Sequence, residues 1–528
     1  MRCDSTSSAI RPRAVTLAAA LAVAGMQAHA AVFVVDTTSD DGSAALQACI
    51  DGAPGDCSLR GALARANANS DADEIHFAIP DTDPGHVAAT AHWRIAPATD
   101  LPMVLHAVTI DGYTQPGAVP NTLAPDEGGN DAVLKIELTG SGRNGSLGLT
   151  GYDISVRGLA INDFFQNMYL GLGARVEGCF IGTDVTGMAA VSSGNGNRIG
   201  IHLVSGTSGQ TIGGDTSASR NLIAGHAFIG VWDESGRTAQ PNVYQGNVFG
   251  LAADGATVLH GQDYGIYMNG AAQGTLVGGD HLAARNVFGG NEFGAIVVTD
   301  GSTQSGSPMP IRIQGNYFGT DYSAALARPN GANPSSPTQT QPTILISRQG
   351  PCGVQIGGEA AGAGNLIANG AAAGVQIATC TGAAILGNTF RANRIGIDLS
   401  PSSVADAATP NDIDDADDGG NRLQNVPVID DVVYGDGGAT VTLTYRVDST
   451  PENAAYPLRI DVGRGFGGQA LAAVMTDSYG AADAQLPRSV SFDASTLMGQ
   501  PLVLSVTDAE GNTSEFATDL LFANGFEP

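Results

Sequence analysis

One block recurs along the middle of this chain, and it restricts the fold more than any single residue does. Its first half appears at Ile212-Gly213-Gly214 with Asn221-Leu222-Ile223, at Val277-Gly278-Gly279 with Asn286-Val287-Phe288, and at Ile356-Gly357-Gly358 with Asn365-Leu366-Ile367. Its second half appears at Gly178-Cys179-Phe180, Gly246-Asn247-Val248-Phe249, Gly315-Asn316-Tyr317-Phe318 and Gly387-Asn388-Thr389-Phe390. Copies lie roughly 65 to 80 residues apart, which divides into about three coils of 22 to 26 residues, a length suited to a parallel β-helix.

Strands rather than helices should build the coils. Gly374-Val375-Gln376-Ile377, Gly294-Ala295-Ile296-Val297-Val298 and Ile395-Gly396-Ile397-Asp398-Leu399 are short, β-branched and bounded by Gly or Asn. With 72 Gly, 25 Pro and 14% charged residues, little material remains for long exposed helices. Stacked coils bury one side chain of each alternating pair, so a continuous core forms although one coil alone has none. The recurrent Gly and Asn read as corner residues, since both tolerate a left-handed backbone.

The chain opens with Arg2, Arg11 and Arg13, the apolar run from Val15 to Ala24 and Ala28-His29-Ala30, the pattern of a secretory signal over residues 1–30. No later run is apolar enough for a transmembrane segment. Cleavage there would remove three arginines and one aspartate, moving the formal charge from −28 to −30. A field of that sign excludes nucleic acid and anionic lipid as partners and favours extracellular calcium. In an oxidising compartment, Cys49 with Cys57 and Cys352 with Cys380 are the economical disulfides, the second pair about one coil apart. Cys179 is left as a buried apolar residue.

Residues 31–110 differ from the repeats: Val32 and Val34, then Ile75, Phe77 and Ile79, alternate as strands, while Leu59, Ala62, Leu63 and Ala66 share a helical face. An amphipathic element here would close the open end of the solenoid as an N-terminal cap. The motifs Val35-Asp36-Thr37, Gly55-Asp56-Cys57-Ser58-Leu59-Arg60-Gly61-Ala62 and Val108-Thr109-Ile110-Asp111-Gly112-Tyr113-Thr114-Gln115-Pro116-Gly117, with Thr409-Pro410-Asn411-Asp412 further on, resemble the CSLREA-domain family of secreted bacterial β-helix proteins. That resemblance implies export, a right-handed, pectin-lyase-like parallel β-helix and a life at or outside the cell surface. It brings no catalytic set. Gly61 departs from the family's Glu, leaving the local helix less favoured.

The repeats should occupy residues 111–405, broken by a long loop near 322–342. An acidic linker is expected over 406–425, an immunoglobulin-like β-sandwich over 426–517 and a tail over 518–528. The sandwich is read from alternation at Val441, Leu443, Tyr445 and Val447, at Leu458, Ile460 and Val462, and at Leu502, Leu504 and Val506. The fold class is therefore all-β.

Catalysis has little support in the residues. A lyase needs a base beside a carboxylate-bound cation, and Asp398 with Arg391 or Arg394 is the nearest cluster; a solvated rung with a surface ion pair explains it as well. Hydrolysis needs two carboxylates about 5 to 10 Å apart. Asp184, Asp254 and Asp321, taken as three coils apart, would stand about 14 Å from one another and read as turn caps. No catalytic or cofactor-binding residues are assigned. The one constellation suited to a ligand is Asp412, Asp414, Asp415, Asp417 and Asp418, alternating carboxylates on a glycine-bearing loop fit for calcium, the only candidate cofactor. The expected function is an exported structural or binding protein whose partners are polysaccharide or cell-surface components. The alternative is a polysaccharide lyase or glycoside hydrolase on the same fold.

Overall fold

A computed structural model describes residues 1, 30–40, 43–50, 53–143, 145–236, 240–270, 274–300, 309–400, 408–466 and 469–518. Nearly all of the expected signal segment and the tail beyond Thr518 lie outside them.

The chain forms a parallel β-helix of three sheets, followed by an antiparallel sandwich. The first sheet has eleven strands, from Val32–Val35 to Thr381–Leu386; the second has eleven, from His86–Val87 to Thr389–Arg391; the third has nine, from Leu147–Leu149 to Ile395–Asp398. Apart from the antiparallel hairpin His86–Val87 with His92–Ile95, their pairings are parallel. Stacked side chains fill the bore, and the rings of Phe249, Phe288 and Phe318 lie face to face with centroids 4.5 and 4.9 Å apart.

Coil length departs from the sequence expectation. Asn221, Asn247, Asn286, Asn316, Asn365 and Asn388 occupy equivalent corners of consecutive coils, and the steps between them are 26, 39, 30, 49 and 23 residues. The recurring block therefore spans two coils, not three. One corner takes the long route through Ile-Gly-Gly and a 3-10 turn such as Ser217–Ser219, and the next takes the short Gly-Asn route.

The corner residues divide into two jobs. Gly213, Gly278 and Gly357 have φ of 82°, 85° and 78°, and a Cβ on each would stand 2.0 to 2.1 Å from a carbonyl of the next coil, so only glycine fits. The asparagines are not at left-handed positions, contrary to the corner reading. The first five are buried and Asn388 is half-buried, and the Nδ2 of each of the five donates to the Oδ1 of the next: Asn221 to Asn247 at 3.0 Å, Asn247 to Asn286 at 3.0 Å, Asn286 to Asn316 at 2.9 Å, Asn316 to Asn365 at 3.0 Å and Asn365 to Asn388 at 2.8 Å. Cys179 takes the corresponding place one coil earlier, and its backbone N–H donates to Asn221 Oδ1.

Both ends are closed. At the N-terminal end, the helix Leu59–Ala66 buries Leu59, Ala62, Leu63 and Ala66 against the first strands, capped by Ser58 Oγ accepting from Gly61 N at 3.0 Å. Gly61 is needed there: a Cβ would lie 2.2 Å from the Leu46 carbonyl. At the C-terminal end, a three-stranded sheet (Val428–Gly435, Thr440–Arg446, Arg488–Asp493) faces a four-stranded one (Leu458–Phe466, Gln469–Tyr479, Leu502–Thr507, Ala517–Thr518). Side chains of this unit satisfy backbone groups of the last coils. Asn512 Oδ1 accepts from Gly382 N, Thr513 Oγ1 from Ile385 N, and Glu515 Oε1 from Leu399 N, at 2.7 to 3.0 Å. Phe516 packs edge-on to Phe390 with centroids 5.2 Å apart. The segment expected to be an acidic linker is itself seated, with Asn421 bonding both the N–H and the carbonyl of Ala383 and the carbonyl of Thr513.

Candidate functional site

The acidic loop brings together three of its five aspartates. Asp412, Asp415 and Asp417 each offer an oxygen within 4.8 Å of the others. Asp414 turns elsewhere and, with Asp448, accepts from Gln485 Nε2. Asp418 is exposed and accepts from Gly419 N.

Two disulfides are closed, Cys49–Cys57 and Cys352–Cys380, the second joining neighbouring coils across a Cα separation of 5.0 Å. Cys179 is fully buried, and burial pushes its thiol up to about 12, which leaves no thiolate at neutral pH.

The remaining carboxylates singled out in the sequence are structural. Asp184, Asp254 and Asp321 follow second-sheet strands two coils apart, so backbone spacing puts neighbours about 10 Å apart rather than 14 Å. Their oxygens are taken up within their own turns: Asp184 by Thr186 and Met188, Asp254 by Ala256 and Thr257, Asp321 by Ser323, Ala325 and Leu326. Asp398 is buried and accepts from Ser400 N and Gln376 Nε2, while Arg391 donates to the Ala324 carbonyl.

A different region carries a constellation that sequence reading passed over. In the third sheet, Tyr169, His202, Trp232 and Tyr267 occupy one register position on four consecutive strands, between the buried residues that point into the bore. His202 stacks on Trp232 with centroids 4.7 Å apart and planes 11° off parallel, and Tyr169 meets His202 edge-on at 5.3 Å. Tyr267 continues to Tyr264, which contacts Phe228 and Phe293 at the start of neighbouring strands. These rings are partly open to solvent except His202, which is 9% exposed.

Polar groups frame the rings. His202 Nε2 lies 3.0 Å from Glu234 Oε2 and its Nδ1 lies 3.4 Å from Gln166 Oε1. Beside Tyr264, Asp263 is half-buried, and burial pushes its carboxyl up to about 6, with Glu292 adding to the rise and Arg198 offsetting part of it. Glu292 sits on the adjacent coil with Oε1 accepting from Gly261 N at 2.9 Å. The strand sequences carry the missed signal: Met168-Tyr169-Leu170, Ile201-His202-Leu203, Val231-Trp232-Asp233 and Ile266-Tyr267-Met268 each place a ring between residues that turn inward. The alternation marks the strands, but coil registration is needed to align the rings.

The face therefore presents a row of aromatic rings edged by carboxylates and amides. No protein-family model, curated protein or solved structure matches this chain.

Proposed function

We propose that this is an exported β-helical binding protein that holds a glycan chain along the ring-bearing face of the third sheet. The row of Tyr169, His202, Trp232 and Tyr267 carries this reading, because consecutive coils place a ring at the same register about every 4.8 Å along a rigid surface. Two disulfides suit an oxidising compartment, and among the described residues no helix is long and apolar enough to cross a membrane. The motifs around Gly55–Ala62 and Val108–Gly117 support grouping with secreted CSLREA-type proteins.

Calorimetric titration with neutral oligosaccharides, polyuronates and amino-sugar oligomers tests the site. Binding of at least one uncharged glycan should fall by about tenfold or more on Trp232→Ala, equivalent to about 1.4 kcal/mol, with the melting temperature retained. Unchanged affinity in this variant would remove the face from the binding site.

Hydrolysis is the second reading, favoured by one observation: the raised carboxyl of Asp263 stands beside the amide-held Glu292 on the next coil. Such a pair suits a proton donor and an ionised partner. Release of reducing ends from a bound glycan, lost on Asp263→Asn, supports that reading; binding without release leaves the protein a binder.

A further inference from the structure

The acidic loop between the last coil and the sandwich crowds three carboxylates together. The three ligand oxygens of Asp412, Asp415 and Asp417 lie within 4.8 Å of one another. Hydrogen bonds use only part of their capacity. Asp412 Oδ2 accepts from Ala416 N and Asp417 N at 3.0 and 3.1 Å, and Asp415, 5% exposed, accepts from Asn425 N at 2.8 Å and from Gln424 Nε2. The opposite oxygens, Asp412 Oδ1 and Asp417 Oδ1, are buried and have no hydrogen-bond partner. Arg422, the cation nearest in the chain, is paired instead with Glu510.

Crowding carboxylates with no counter-charge beside them is unfavourable, and the buried Oδ1 atoms left without a donor add a further cost. A hard divalent cation removes both penalties together, since it ligates oxygens and cancels their repulsion. We infer that this loop is a calcium site, with Asp412 Oδ1, Asp417 Oδ1 and one oxygen of Asp415 as its protein ligands. Calcium suits it better than magnesium, because a few carboxylates on an irregular loop do not impose octahedral geometry.

The site's position gives the ion a mechanical role. Asn425, which donates to Asp415 from its backbone, also bonds the Asp412 and Asp448 carbonyls through Nδ2, and Asn421 joins the same segment to Ala383 and Thr513. A bound ion therefore fastens the segment that seats the sandwich on the β-helix. This inference does not depend on glycan binding.

The test uses the exported full-length chain, decalcified and titrated with calcium chloride, followed by calorimetry and by thermal unfolding. One equivalent of calcium should bind and raise the melting temperature. In the double variant Asp412→Asn with Asp417→Asn, calcium affinity should drop by tenfold or more, because ligand charge sets affinity. The ion-free variant should be at least as stable as the ion-free parent, since repulsion is relieved, and that comparison separates site loss from misfolding. Absence of a calcium response in the parent, an equal response in the variant, or an equal response of the parent to magnesium chloride would each overturn the assignment.

Discussion

A buried asparagine in this fold is a link in a chain, and its cost of removal is set by its neighbours. Asn286 accepts from both Asn247 N and Asn247 Nδ2, at 2.9 and 3.0 Å, and donates to the Tyr244 carbonyl and to Asn316 Oδ1, at 2.8 and 2.9 Å. Asn286→Ala takes the partner from Asn247 N, Asn247 Nδ2 and the Tyr244 carbonyl on the preceding buried coil, while Asn316 Oδ1 keeps its bond from the backbone N–H of residue 286. The expected loss is roughly 3 kcal/mol, since each orphaned buried group costs about 1 to 3 kcal/mol. Urea unfolding measures it as a lower midpoint, and a midpoint within error of the parent's would refute the ladder's energetic role. The recurrence of Asn beside each strand was legible in the sequence, but its job was not. A corner residue and a ladder residue have the same spacing, and only φ and burial separate them. The glycines beside them were readable because a left-handed backbone against a neighbouring carbonyl leaves no other choice. Tyr169, His202, Trp232 and Tyr267 were harder still, because they are far apart in the chain and become neighbours only through coil stacking.

Single coils are held together by what crosses between them. The strand pattern of Val375, Ile296 and Ile397 identifies the type of element directly, yet the coil length does not follow from the spacing of the blocks. Ile-Gly-Gly and Gly-Asn corners alternate, and a period counted from one corner type skips every second coil. Counted that way, Asp184, Asp254 and Asp321 fall three coils apart, whereas the strands they follow are two coils apart. The disulfide Cys352–Cys380 fastens two coils across 28 residues, and both cysteines are fully buried. Closing a loop of that length removes denatured-state entropy worth roughly 3.5 kcal/mol. The double variant Cys352→Ala with Cys380→Ala should therefore unfold at lower temperature, with earlier hydrogen exchange at Pro351–Gly357 and Thr381–Leu386 than at Thr211–Gly213. Uniform loss of protection along the rod would show that the crosslink is not local in its effect.

At the scale of the whole molecule, a rod of parallel coils must end without leaving a template for another rod. A last coil exposes unpaired N–H groups on all three sheets, the arrangement that promotes edge-to-edge growth. Here the sandwich supplies the missing acceptors: Asn512 for Gly382, Thr513 for Ile385, Glu515 for Leu399, and Gln469 Oε1 for Asn393 N at 3.2 Å. Phe516 covers Phe390 at the end of the bore. The sandwich is therefore a cap as well as an appended module, and the two roles separate experimentally. A chain ended after Leu399 loses all of these partners together, while Phe516→Ala loses only the apolar cover. The truncated rod should self-associate in a concentration-dependent way, seen as a rising mass in light scattering during gel filtration. Phe516→Ala should remain monomeric but melt lower, by roughly 1 to 2 kcal/mol, since the ring is only partly buried against the end of the core. A truncated chain that stays monomeric at high concentration, with the parent's thermal stability, would show that the last coil needs no cover and that the sandwich is only cargo on the rod.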